Sequence, residues 1–100
     1  MYAVKQPGGK WQQFPGIPSL EKMQEIVGGW IEMAYYPFSD KLTGVNLIVN
    51  EEGKLMQLDA NIHIGYDILV GPVLAVRIDD EGGTAALQES DVAALQEALA

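Results

Sequence analysis

One hundred residues, 48% of them hydrophobic and 20% charged, are enough for one domain with a real core. No apolar run approaches the ~18 residues of a membrane helix, and the absence of cysteine excludes disulfides, thiolate catalysis and cysteine-ligated metals, which makes a reducing cytoplasm the expected location. Fourteen Asp and Glu against six Lys and Arg leave a net charge of -8, which argues against direct nucleic-acid binding.

From the N-terminus, Ala3 to Gln6 and Trp11 to Phe14 read as two short strands around the turn Pro7-Gly8-Gly9-Lys10. No apolar stretch follows a basic region here, so neither a secretory leader nor a membrane association is expected. Pro15, Gly16 and Pro18 end the ladder. Ser19 is a good N-cap for a helix whose apolar stripe is Leu20, Met23 and Val27, and one glycine of Gly28-Gly29 should supply a left-handed C-terminal cap. Trp30 to Pro37 alternates as a strand, with Ile31, Met33 and Tyr35 on one face and Trp30, Glu32, Ala34 and Tyr36 on the other.

After a loop from Phe38 to Gly44, Val45 to Leu58 reads as a hairpin: Val45, Leu47 and Val49 alternate with polar residues, Glu51-Glu52-Gly53 forms the tip with Gly53 at positive φ, and Lys54 to Leu58 returns. Ile68 to Ile78 is almost wholly apolar, and Gly71-Pro72 within it predicts a bulge or a change of direction. Asp79 to Gly83 is a turn, and Ser90 is expected to cap a last helix with Val92, Leu95 and Leu99 as its stripe. This order of elements predicts an α+β fold, a single small domain over residues 1–100 with a mostly antiparallel sheet of about five or six strands and two helices.

The candidate chemistry is sparse. Asp59, Asn61, His63 and Asp67 gather the only histidine with oxygen donors, a pattern compatible with ligand binding or with an imidazole oriented by a carboxylate. In an extended segment Asp59, Asn61 and His63 share one face and Leu58, Ala60, Ile62 and Ile64 the other, which is equally the pattern of a half-exposed edge. One histidine does not make a zinc site, and counting an EF-hand from Asp79 or Asp80 leaves the intermediate positions without side-chain oxygens. Neither a metal nor a cofactor is expected. None of Ser19, Ser39, Ser90, Thr43 and Thr84 lies in a nucleophile elbow or beside His63, and no glycine-rich phosphate loop is present, so an enzyme is not the leading reading. Trp30, Glu32 and Tyr36, on one strand face, form a candidate partner surface.

The stretches "EIVGGWIEMAYYP", "NLIVNEEGKLMQLDANIHI" and "YDILVGPVLAVRID" together resemble a family of small domains of unknown function, number three-eight-four-six, common in phages and conjugative elements of gut Firmicutes. The resemblance implies a cytoplasmic accessory protein of a mobile element and carries no catalytic residue or cofactor with it. Relatives often have Leu-Pro-x-Asn where this chain has Leu58-Asp59-Ala60-Asn61, so Asn61 keeps its place, which favours a turn-forming role for it.

Three functions follow as expectations. The first is a non-enzymatic interaction or regulatory module with a protein partner, with a homodimer as a further option. The second is an acidic anti-restriction or anti-defence protein that mimics DNA. Duplex DNA presents one charge per ~1.7 Å, about twenty over a ~35 Å surface, so a net charge of -8 falls short unless two chains combine. The third is a small ligand- or metal-binding protein or enzyme using Asp59, His63 and Asp67.

Overall fold

A computed structural model describes residues 1–35, 40–65 and 67–100. In chain order the elements are β1 (Tyr2–Lys5), β2 (Gln12–Phe14), α1 (Leu20–Val27), β3 (Ile31–Tyr35), a 3-10 turn (Asp40–Leu42), β4 (Val45–Asn50), β5 (Ala60–Ile64), β6 (Asp67–Val70), β7 (Val73–Ile78), β8 (Thr84–Ala85) and α2 (Glu89–Ala98). The expected residues Tyr36 to Ser39 and Tyr66 lie outside the described residues.

The fold is α+β. A six-stranded sheet runs β2-β1-β7-β4-β3, with β8 continuing along β7 beyond β1, and β5 and β6 form a separate hairpin. All pairings in both sheets are antiparallel. The two faces of the large sheet carry two cores. On one face Tyr2, Val4, Ile48, Leu74 and Val76 pack against Met23 and Val27 of α1. On the other, Ala3, Leu47, Val49, Val73 and Ala75 pack beneath Ile62 and Leu69 of the hairpin and Val92 and Leu95 of α2. The central strands β4 and β7 are therefore covered twice, which explains why Val73 to Val76 is continuously apolar rather than alternating. Each fully buried aliphatic side chain contributes about 1.5–3 kcal/mol.

Helix α1 ends where local chemistry says it should. Ser19 Oγ accepts the Lys22 N–H at 3.1 Å, and Gly28, at φ 83°, donates its N–H to the Gln24 carbonyl. Its buried side chains are Met23 and Val27, while Leu20, expected on the same stripe, is exposed.

Three expectations need correction. First, Lys54 to Leu58 does not return as a strand. Both edges of β4 are already occupied, by β3 and β7, so no ladder remains for it to join. The chain coils instead: Asn50 Oδ1 accepts the Glu52 N–H at 2.8 Å, and bonds from Met56 N–H to the Glu52 carbonyl and from Leu58 N–H to the Gly53 carbonyl close the loop. Gln57, not Gly53, takes the positive φ, at 56°. Gly53 is needed for space, because a Cβ there would stand 2.9 Å from Val70 Cγ2.

Second, α2 begins earlier than Ser90. Gln88 is the N-cap, and Asp91 reaches back to accept its N–H at 2.8 Å. Third, the apolar run from Ile68 to Ile78 is two strands in two different sheets, parted at Gly71, whose φ is 72°. The change of direction expected from Gly71-Pro72 is a switch between layers.

Gly71 permits that switch in two ways. Its backbone is left-handed, and an added Cβ would lie 2.7 Å from Leu58 Cδ1. Gly8 has a similar φ, 76°, with nothing within 4 Å of such a Cβ. Gly71→Ala is expected to cost about 2 kcal/mol or more and Gly8→Ala only the backbone share, about 1 kcal/mol. Urea melts of the two variants check this; equal losses would show that Leu58 yields without cost.

Candidate functional site

The hairpin register decides what becomes of Asp59, Asn61, His63 and Asp67. Ala60 faces Val70 but Ile62 faces Leu69, so β5 carries one extra residue, Asn61, as a bulge. The bulge turns Asn61 away from His63 and under the hairpin. There its Nδ2 donates to the carbonyls of Lys5 at 2.7 Å and Gly71 at 2.8 Å, and its Oδ1 accepts from Lys5 Nζ at 2.7 Å. The side chain expected to share a face with His63 thus joins the hairpin to β1 and to the Gly71 switch. Lys5 itself is buried.

His63 pairs with Ile68 and Ile64 with Asp67. Neighbouring residues of a strand point to opposite faces, so His63 stands on the outer face of the hairpin and Asp67 on the inner one. His63 is exposed and makes no side-chain hydrogen bond among the described residues. Asp59 is exposed, and its carbonyl accepts the Gly71 N–H at 2.8 Å. Asp67 is engaged elsewhere: it accepts from Lys54 Nζ and, at 2.8 Å, from the Ile68 N–H. The Lys54 hydrogen bond above all, then the Ile68 N–H and the nearby ammonium charge, hold its carboxyl below the usual range. The structure therefore distributes the four residues over separate positions, and among the described residues no group of three or more acids or histidines is arranged to hold a metal ion.

A different place gathers polar and apolar groups. Between β3, the loop after β4 and β6 lies a cleft of about 140 Å³, with Ala34, Val49 and Leu69 in its lining and Glu32, Glu51 and the Lys54–Asp67 pair among its polar groups. Glu32 and Glu51 are exposed and have no ion-pair partner among the described residues. Leu55, 85% exposed, and Ile68, 38% exposed, add apolar surface to the same lining. Trp30, 69% exposed, precedes β3 and its carbonyl accepts the Glu51 N–H at 2.8 Å. Cavities for small-molecule ligands run from about 300 Å³ upward. This cleft is smaller than that. Of the expected partner surface, Glu32 lines the cleft, Trp30 is exposed but lines a separate depression with Gln24 and Gly29, and Tyr36 falls outside the described residues.

The family model for the domain of unknown function DUF3846 matches residues 3–100. The chain belongs to this family. No curated protein and no solved structure matches it significantly.

The stretches that carried the family resemblance meet one another in the fold. Asn50, buried, donates from Nδ2 to the Val27 carbonyl at 3.1 Å, and a Cβ on Gly29 would stand 3.0 Å from that nitrogen, so the Gly-Gly pair and the asparagine before Glu51 are fitted together. Gly53 lies against Val70, Gly71 against Leu58, and Asn61 binds the Gly71 carbonyl. In this member the motif residues are the joints between α1, β4 and the hairpin. That is a structural reason for their spacing, and the cleft itself is lined from the same three stretches.

Sequence reasoning missed the ion pair of Arg77 with Asp91 and the engagement of Lys5. Arg77 Nε and Nη2 bind Asp91 Oδ2 and Oδ1 at 2.8 and 2.7 Å, and its Nη1 donates to the Thr43 carbonyl at 3.1 Å. A single arginine closing an apolar strand was the available signal.

Proposed function

We propose that this chain is a non-enzymatic protein-binding module, an accessory of a phage or conjugative element, and that the cleft beside β3 receives an apolar and basic segment of its protein partner. The observation that carries the reading is the pair of carboxylates, Glu32 and Glu51, without an ion-pair partner among the described residues, at a small cleft of mixed polar and apolar lining that includes exposed Leu55 and Ile68. Interfaces combine an apolar centre with charged groups that select and orient the partner, and a basic residue would complement these two. The mobile-element setting rests on the family resemblance, and a cytoplasmic location on the absence of cysteine.

The test is affinity capture from lysate of the natural bacterial host, read by mass spectrometry, with the wild type beside a Glu32→Lys/Glu51→Lys double variant and a His63→Ala variant. A stoichiometric protein retained by wild type and His63→Ala, and lost at least about tenfold by the charge reversal, is the expected result. Retention indifferent to the reversal overturns the cleft as the site. Loss in His63→Ala alone moves recognition to the outer face of the hairpin.

A further inference from the structure

One of the two edges of the large sheet supports an inference that does not depend on the cleft. β3 ends the strand order, and among the described residues nothing pairs with its outer side. Natural sheets blunt such edges with bulges, prolines, lysines or very short strands. β3 has five residues in uninterrupted register with β4, and its one charge is Glu32.

The ladder settles which of its backbone groups face outward. The Glu51 N–H donates to the Trp30 carbonyl, one step beyond the pair Ile31–Asn50. In an antiparallel ladder that alternation makes Glu32 and Ala34 the residues bonded to β4 and leaves the N–H and C=O of Ile31, Met33 and Tyr35 pointing away. The other side of β4 agrees: the Ile78 N–H donates to the Gly44 carbonyl, so the even-numbered residues of β4 bond to β7 and Leu47 and Val49 bond to β3.

We propose that β3 pairs with β3 of a second copy of this chain about a two-fold axis through Met33, joining the two sheets into one. In that register Met33 exchanges hydrogen bonds with Met33 of the other copy, and Ile31 with Tyr35, which uses every outward-facing group of the strand. Glu32 falls opposite Ala34. An axis one residue earlier would set Glu32 against its own copy, which like-charge repulsion disfavours. Met33, 51% exposed in one chain, meets its symmetry mate on the α1 side of the sheet. An isologous contact of this kind is closed, so it stops at two chains. Glu32 and Ala34 point to the opposite face, where the clefts of both copies stay open side by side.

The chain has no cysteine, so Met33→Cys introduces a single thiol. Hydrogen-bonded antiparallel partners have Cα atoms about 5.5 Å apart, within the range a disulfide spans. The expected results are a wild-type mass in sedimentation equilibrium of twice the 10.9 kDa of one chain, and rapid disulfide dimerisation of Met33→Cys under mild oxidation while Leu55→Cys, at a more exposed position, lags far behind. Met33→Pro removes only an outward N–H, which an edge strand tolerates, and should sediment as one chain with its circular dichroism retained. A one-chain wild-type mass at high micromolar concentration overturns the proposal. So does a dimer whose Met33→Cys variant crosslinks no faster than Leu55→Cys.

Discussion

Arg77→Ala is expected to destabilise the fold by about 3 kcal/mol, the lower end of the cost of stranding one member of a buried ion pair. Asp91 has a side chain only 3% exposed, and Arg77, at 32%, supplies its bidentate partner from β7. The same guanidinium holds the Thr43 carbonyl, and the same carboxylate caps the Gln88 N–H, so one side-chain pair ties the sheet, the turn before β4 and the start of α2 together. For a domain of this size the loss corresponds to a drop in melting temperature of roughly 12–24 °C. Burial by itself would push the Asp91 carboxyl up, but the Arg77 hydrogen bonds, the Gln88 N–H and the guanidinium charge outweigh it and hold the carboxyl below its usual range. The hydrogen bond to Asp91 in turn raises Arg77.

The sign of the pH dependence follows. A carboxyl whose folded pKa is depressed contributes stability that is complete above its unfolded value, about 3.9, and is lost as pH falls through the folded value. The gap between wild type and Arg77→Ala should therefore be full at neutral pH and narrow below about pH 4. Urea denaturation at neutral pH and near pH 3 measures it. A gap that stays constant across that range would place the cost in lost packing of the arginine stem rather than in the ion pair.

Trp11→Ala is expected to cost about 3–5 kcal/mol, as large-to-small changes of buried aromatic residues do. Trp11 is buried in the core beneath α2, its Nε1 donates to the Leu99 carbonyl at 3.0 Å, and its N–H reaches Gln96 Oε1 at 3.3 Å. It fastens the turn between β1 and β2 to the last turn of α2, where a helix otherwise leaves carbonyls without partners. Trp11→Phe separates the contributions: it keeps most of the apolar contact and removes the indole donor, at an expected cost nearer 1–2 kcal/mol. If Trp11→Ala melted with the wild type, the C-terminal helix would not depend on this contact, and its docking would rest on the Arg77–Asp91 pair and on the core contacts of Val92 and Leu95.

How far the fold was legible depended on how local each cause was. Ser19, Gly28 and the spacing of Met23 and Val27 act within one or two turns of chain, so α1 could be read with both its caps. The Asp79 turn was readable for the same reason: Asp79 Oδ1 accepts the N–H groups of Glu81 and Gly83. The hairpin after Val45 was misread because Val45 to Asn50 has the same alternation whether its partner is Lys54 to Leu58 or β3 and β7. Only the competition for the two edges of β4 decides between them. Asn61 was misread because period-two alternation assumes an unbroken ladder, and one extra residue in β5 reverses every face before it. Nothing in Asp59 to Asp67 announces that bulge, because its cause lies in Lys5 and Gly71, distant in the chain. The exposure of Trp30 and Met33 was equally unreadable, since an apolar strand residue looks the same at an edge as at the centre of a sheet.

The amino-acid sequence by itself determined the α+β class, the first helix and its caps, the break at Gly71-Pro72 and the lack of a nucleophile or phosphate-binding motif, because these follow from composition and from interactions over a few residues. The tertiary structure alone decided which strands are neighbours, that β6 and β7 belong to different sheets, that Asn61 and Lys5 bind each other while His63 faces outward, and that Glu32 and Glu51 share a cleft. Those outcomes are set by free energies of burial and hydrogen bonding between segments far apart in the chain, and such pairings leave no periodicity in either segment.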